Sequence, residues 1–157
     1  MKFSFINPSP DSQVKPPERW KTISFYATPP MGLLYLATIL RNKGLEVSML
    51  DQASNGFSIE ETVKWVKKED PDILGFSTLT GSGQTAATIA KEAKKENPNI
   101  TIVFGGYHAT FNAERLLKKY PWIDVAVRGE GEYTSIELVE CLEKRKELKN
   151  ILGITFR

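Results

Sequence analysis

The sequence predicts an α/β domain built on an open, doubly wound parallel sheet, and three observations carry that expectation. Strand-like apolar runs alternate with helix-period segments along the whole chain. The run Ile73-Leu74-Gly75-Phe76 shows little polar alternation, as suits a strand covered on both faces. It gives way to Ser77-Thr78-Leu79-Thr80-Gly81-Ser82-Gly83, small hydroxyl residues and glycines of the kind that line a ligand.

Taken in order, Phe3 to Ile6 is the first strand, ended by Asn7-Pro8-Ser9-Pro10. A long segment rich in proline and aromatics follows as far as Pro30. Loops of that length inside compact domains are usually functional or mobile, and Trp20, Phe25 and Tyr26 argue that this one packs against something. Met31 to Lys43 has apolar residues at helical spacing, with Pro29-Pro30 at its entry and Gly44 as its stop. Glu46 to Leu50 is the second strand. Ser58-Ile59-Glu60-Glu61 then forms a capping box, and Ile59, Val63 and Val66 make the apolar face of a second helix. After the strand that begins at Ile73 comes a helix from about Gln84 to Glu96. Its Ala86, Ala87, Ala90 and Ala93 suit either close approach by the sheet or a ligand, or simple helix propensity.

Ile100 to Phe104 is the fourth strand and runs into the loop Gly105-Gly106-Tyr107-His108-Ala109-Thr110. A helix from about Ala113 to Tyr120 follows, then a strand from Ile123 to Val127 and the loop Arg128-Gly129-Glu130-Gly131-Glu132. A last helix runs from about Ser135 to Leu148, and Ile151 to Phe156 is the terminal strand. No internal repeat or low-complexity linker divides the chain, so residues 1–157 read as one unit. The unusual loops follow strands one, three, four and five, on the side of a parallel sheet where ligands bind.

Composition sets the outer bounds. The 157 residues are 41% hydrophobic, enough for a proper core, and a net charge of +2 gives no field for capturing nucleic acid or an anionic membrane. No apolar run reaches the roughly 18 residues a bilayer span requires, and no targeting segment is visible. Cys141 is the only cysteine, which excludes an internal disulfide or a cysteine cluster and fits a cytoplasmic protein. The glycine fingerprint for a dinucleotide and the phosphate cradle of nucleoside triphosphatases are both absent. Gly75-Phe76-Ser77-Thr78-Leu79 lacks the second glycine of a nucleophile elbow, and no acidic cluster follows the first strand, so neither a serine hydrolase nor a phosphoacceptor receiver fits.

Ser77-Thr78-Leu79 and Gly105-Gly106 together resemble the Ser-x-Leu and Gly-Gly pair of cobalamin-binding domains. In those domains the first borders the dimethylbenzimidazole nucleotide tail and the second leaves room for the tail beside the sheet. Pro29-Pro30-Met31-Gly32-Leu33-Leu34-Tyr35-Leu36-Ala37, Gly105-Gly106-Tyr107-His108-Ala109-Thr110, Arg128-Gly129-Glu130-Gly131-Glu132 and Gly153-Ile154-Thr155-Phe156-Arg157 extend the resemblance over nearly the whole chain. They are similar to the N-terminal domain of cobalamin-dependent radical S-adenosylmethionine enzymes. These include anaerobic magnesium-protoporphyrin monomethyl ester cyclase-like proteins and many methyltransferases.

The resemblance implies a flavodoxin-like, Rossmann-like fold with cobalamin as cofactor and no catalytic or metal-ligating residue of its own. It implies a cofactor contact set of Ser77, Thr78, Leu79, Thr80, Gly105, Gly106, Tyr107, His108, Glu130 and Gly131. Glu130 and Glu132 suit either the positive start of the following helix or acceptance of hydrogen bonds from corrin amides. Two departures shape the expectation. The segment from Asn7 to Pro30 contains no histidine, so the lower cobalt ligand of the methionine synthase and mutase branches is missing. The Cys-x-x-x-Cys-x-x-Cys of a radical-generating cluster is missing too. The chain is therefore expected to be an N-terminal fragment that binds cobalamin base-off, with a stand-alone cobalamin carrier as the other possibility. Its partner would be a C-terminal radical S-adenosylmethionine domain, absent here, holding the [4Fe-4S] cluster, S-adenosylmethionine and the small-molecule substrate. A corrin-free sensor or interaction module on the same fold stays open as the alternative.

Overall fold

A computed structural model describes residues 1–10 and 29–157. The expectation that Trp20, Phe25 and Tyr26 pack against the domain falls outside the described residues. The strands are β1 (Lys2–Asn7), β2 (Glu46–Asp51), β3 (Ile73–Ser77), β4 (Thr101–Gly105), β5 (Val125–Val127) and β6 (Ile154–Phe156). The helices are α1 (Met31–Asn42), α2 (Gln52–Asn55), α3 (Ile59–Glu69), α4 (Gly83–Glu96), α5 (Tyr107–Lys119) and α6 (Glu132–Glu143). One sheet holds the strands in the order β2-β1-β3-β4-β5-β6. The first five are parallel, and their order 2-1-3-4-5 is that of flavodoxin-like folds, whose switch point lies between β1 and β3.

Strict alternation along the strands sorts two cores. Ile6, Leu50, Leu74, Phe76, Ile102, Phe104 and Ala126 face one way and are covered by α3, α4 and α5. Phe3, Phe5, Ile73, Val103, Val125 and Val127 face the other and meet Leu33 and Leu40 of α1 and Leu138 and Val139 of α6. On the first face, Ala86, Ala87, Ala90 and Ala93 are all buried, and the Trp122 indole N–H donates to the Ala87 carbonyl at 2.8 Å. The alanines of α4 therefore serve close packing within the core.

The capping box forms as the sequence implies. The Ser58 hydroxyl accepts from the Glu61 N–H, and the Glu61 carboxylate accepts from the Ser58 N–H.

Three elements depart from the sequence reading. Tyr107 to Thr110 is the first turn of α5, not a loop. The backbone is non-helical at Asn112 (φ −130°, ψ 19°), which is why the regular pattern is legible only from Ala113 onward. α6 begins at Glu132 and ends at Glu143, earlier at both ends than its apolar pattern suggests. β6 runs antiparallel to β5, with Val127 opposite Ile154. Because α6 stops early, residues 144–153 carry the chain back to the carboxyl edge of the sheet, so the last strand descends from there.

The Phe3 and Phe5 rings stack with centroids 4.2 Å apart, and Gly75 on the adjacent strand gives them room. A Cβ at Gly75 would lie 2.7 Å from Phe3 Cε2 and 3.0 Å from Phe5 Cδ1. The rings stack on each other over Gly75, so an added methyl must displace at least one of them from that stack. Gly75→Ala is expected to lower stability by about 1–3 kcal/mol in urea denaturation. Combining it with Phe3→Leu should recover part of that loss, by less than additive destabilisation.

Candidate functional site

The carboxyl ends of the central strands present one row of residues on the α1/α6 side. Asn7 continues the Phe3–Phe5 face of β1, Ser77 the Ile73–Gly75 face of β3, and Gly105 follows Val103 on β4. Asp51 lies in register with Asn7, and Gly105 with Ser77. From this row a cavity of about 800 Å³ runs down the sheet, floored by Phe3, Phe5, Gly75 and Val103 and walled by Leu33 and Leu36 of α1. Met31, Leu79, Tyr107 and Phe111 surround its mouth, and Tyr107 and Phe111 are 73% and 80% exposed.

Two loops at the mouth are joined through Thr78. Its N–H and its hydroxyl both donate to the Gly105 carbonyl, at 2.8 and 2.9 Å, and its own carbonyl accepts from the His108 N–H at 3.0 Å. Gly106 makes the contact possible. Its φ of +85° lies in the left-handed region, and a Cβ there would come within 2.7 Å of the Thr78 carbonyl oxygen. The Gly106 carbonyl then accepts from the N–H and the hydroxyl of Thr110, and that hydroxyl also accepts from the Gly129 N–H at 3.0 Å. The loop after β3, the β4–α5 junction and the loop after β5 thus form one hydrogen-bonded rim.

The structure sorts the residues singled out from sequence. Ser77, Leu79, Gly105, Gly106, Tyr107, Glu130 and Gly131 border the cavity. Thr78, Thr80 and His108 do not line it. Thr78 is fully buried in the backbone clasp, and Thr80 opens a 3₁₀ turn, Thr80–Ser82. The His108 ring lies so close to Gly83 that a Cβ there would come within 2.9 Å of its Nε2. Among the described residues no cluster of His, Cys, Asp and Glu could hold a metal ion. The displaced titration that involves the sheet lies at its amino edge, where the Lys2 ammonium, 3.0 Å away, holds the Glu69 carboxyl below its ordinary range.

The sequence reading missed the β1–β2 corner. Asn7 Nδ2 donates to Asp51 Oδ1 at 2.9 Å. Asp51 also caps α2, accepting from the Ser54 N–H and hydroxyl at 3.3 and 2.6 Å. The buried Gln52 side chain accepts from the Ser9 N–H at 2.8 Å and donates to the Phe57 carbonyl at 3.1 Å, fixing the exit of β1 beside the cavity. Asn7, Pro8 and Pro10 all line that cavity. The available signal was period: Asn7 shares the parity of Phe3 and Phe5, and Asp51 that of Val47 and Met49.

Comparison with known proteins follows the same outline. The B12 binding domain family matches residues 24–139. The chain is 38% identical over 157 residues to an uncharacterized methyltransferase, PH0819, of Pyrococcus horikoshii, covering 100% of this chain and 33% of that protein. It is 36% identical over 117 residues to the anaerobic magnesium-protoporphyrin IX monomethyl ester cyclase of Rubrivivax gelatinosus, covering 74% of this chain and 21% of that one. The chain thus spans about a third or less of the length of these relatives. In fold it is similar to the cobalamin-dependent S-adenosylmethionine radical enzyme OxsB with aqua-cobalamin and S-adenosylmethionine bound. That likeness has a TM-score of 0.79 and 23% identity, over 99% of this chain and 20% of OxsB.

The glycine pair divides its work. A side chain at Gly106 meets backbone, whereas a Cβ at Gly105 has nothing nearer than the Phe76 carbonyl oxygen at 3.8 Å. Gly106 is therefore a folding requirement, not a residue kept small only to clear a channel. Gly106→Ala is expected to lower the thermal midpoint of the free chain, since it adds left-handed strain of about 1–2 kcal/mol to the clash. Gly105→Ala should leave that midpoint within about 2 °C of the parent's; calorimetry of the three chains compares them.

Proposed function

Because the chain belongs to the B12-binding domain family, we propose that it holds cobalamin with the nucleotide tail withdrawn into the cavity beside β4. It presents the corrin to a radical S-adenosylmethionine domain. The observation that carries the reading is the cavity itself, open at the carboxyl edge and kept clear by the missing side chain at Gly105. A flat aromatic base suits walls of Phe3, Phe5, Val103, Leu33 and Leu36. The Ser77 hydroxyl stands at the entrance as a hydrogen-bonding group, and Glu130 offers a carboxylate to corrin amide donors.

Cobalamin, when bound, supplies a cobalt centre that can carry a methyl group or an electron, and this chain supplies position and surroundings. The residues that do so are Gly105, which admits the tail, the Thr78 clasp, which fixes the rim, and Met31, Leu79, Tyr107 and Phe111, which give the mouth an apolar margin. The reading is base-off, and with no histidine bordering the cavity among the described residues it assigns no protein imidazole to cobalt. Cys141, a free thiol on α6, cannot alone hold a [4Fe-4S] cluster, so the cluster, S-adenosylmethionine and a small-molecule substrate belong to the partner domain. A cytoplasmic setting is part of the same reading. Among the described residues no helix is long and apolar enough to cross a membrane.

Cobalamin at a hundredfold excess over its dissociation constant is expected to stabilise the chain by about 2.7 kcal/mol, seen as a raised thermal midpoint. An unmoved midpoint at saturation would remove the cofactor reading. Gly105→Leu should keep the fold and lose the shift, and a leucine variant that binds like the parent would mean that the tail runs elsewhere.

Paramagnetic resonance of the cob(II)alamin complex should show cobalt lines without nitrogen splitting. Triplets that vanish in His108→Ala would make that residue the ligand. Triplets that survive it would mean the base stays on cobalt.

A further inference from the structure

We propose that the rim selects its corrinoid by amide groups: Asn7, held by Asp51 through one N–H of its amide with its carbonyl turned away from that carboxylate, accepts a hydrogen bond from a corrin side-chain amide. Together with Glu130 and Glu132 it turns away a corrin bearing a carboxylate there. The inference rests on the cobalamin reading and assigns a specificity role to residues outside the Ser-x-Leu and Gly-Gly pair.

The orientation of Asn7 follows from what its neighbour can do. A carboxylate only accepts hydrogen bonds. Both oxygens of Asp51 are anchored by Ser54, from its N–H at 3.3 Å and its hydroxyl at 2.6 Å. The Asn7 amide must therefore turn its NH2 toward Asp51, where the Nδ2–Oδ1 distance is 2.9 Å. Its Oδ1 is left on the other side of the amide, and Asn7 lines the cavity. The backbone around it is held by the buried Gln52, which ties Ser9 to Phe57.

The charged side chains of the rim have the same polarity. Glu130 and Glu132 line the cavity, and the Thr110 hydroxyl is already engaged between Gly106 and Gly129. The chain contains 21 lysines and arginines, yet among the described lining residues there is no lysine, arginine or histidine. The rim's hydroxyls, Ser77 among them, serve either polarity, but its charged side chains are carboxylates with no side-chain cation beside them among those lining residues. A primary amide brings the N–H donors they require. A carboxylate brings further acceptors and a like charge, leaving polar groups unmatched on both sides.

Equilibrium titration of this chain, followed by visible absorption, tests the idea with cobalamin and with the three monocarboxylates that mild acid hydrolysis makes from its propionamides. These keep the nucleotide tail, so only the rim is probed. At least one monocarboxylate is expected to bind about tenfold or more weakly than cobalamin, the effect of one mismatched polar contact. Asp51→Asn frees the Asn7 amide to turn over and should shrink that ratio. Glu130→Gln with Glu132→Gln, which leaves α2 untouched, should shrink it as well. Three monocarboxylates that bind like cobalamin, or a ratio that neither variant changes, would overturn the inference alone. Failure of cobalamin itself to bind would take the cofactor reading down with it.

Discussion

The backbone of Thr78 is the point on which the mouth of the domain turns. The residue is fully buried, and its N–H, hydroxyl and carbonyl are engaged by Gly105 at the end of β4 and His108 in the first turn of α5. Buried backbone groups left unmatched are expensive, so this pairing leaves the two loops little freedom to separate. The left-handed Gly106 is what lets the chains approach so closely. Through Thr110 the constraint reaches Gly129, and so the loop after β5. Ser77, Leu79, Tyr107 and Glu130 are consequently placed relative to one another by main chain, which is stiffer than any arrangement of long side chains.

The cavity arises from a difference between the two faces of the sheet. On one, three helices lie close, and the small side chains of α4 let it settle against Ile102 and Phe104 with Trp122 bonded to its backbone. On the other, among the described residues, α1 and α6 cover the strands, and the glycines Gly75 and Gly105 remove volume where the central strands approach the carboxyl edge. Phenyl rings reclaim the space over Gly75, while nothing among the described residues reclaims the space over Gly105. One glycine thus serves packing and the other serves vacancy, on adjacent strands two residues out of step.

Much of this was legible in the chain. The unalternating run at Ile73 announced a central strand, the Ser58–Glu61 box announced a helix start, and the placement of glycine and hydroxyl residues after β3 and β4 announced the edge of the sheet at which the cavity opens. What was illegible has physical reasons. The start of α5 carries no capping side chain, since Gly106 turns the backbone into the helix directly, and the kink at Asn112 hides the first turn. The direction of β6 depends on where α6 stops, and helix ends are weakly encoded beside the lysine-rich segment after Glu143. Gly106 looked like cleared space for a ligand because sequence does not reveal which way a missing Cβ would point. Asn7 and Asp51 looked like ordinary strand ends until their register put them side by side.

The apolar margin of Met31, Leu79, Tyr107 and Phe111 has a thermodynamic consequence of its own. A planar ligand seated at the mouth and any polypeptide laid across it would draw on the same side chains and the same release of ordered water. Two such events cannot be independent. If each finishes burying what the other leaves half covered, they cooperate, and the coupling free energy is identical read in either direction. An affinity measured on this chain alone is then one edge of a square, and the opposite edge, with the margin covered, differs from it by that shared term.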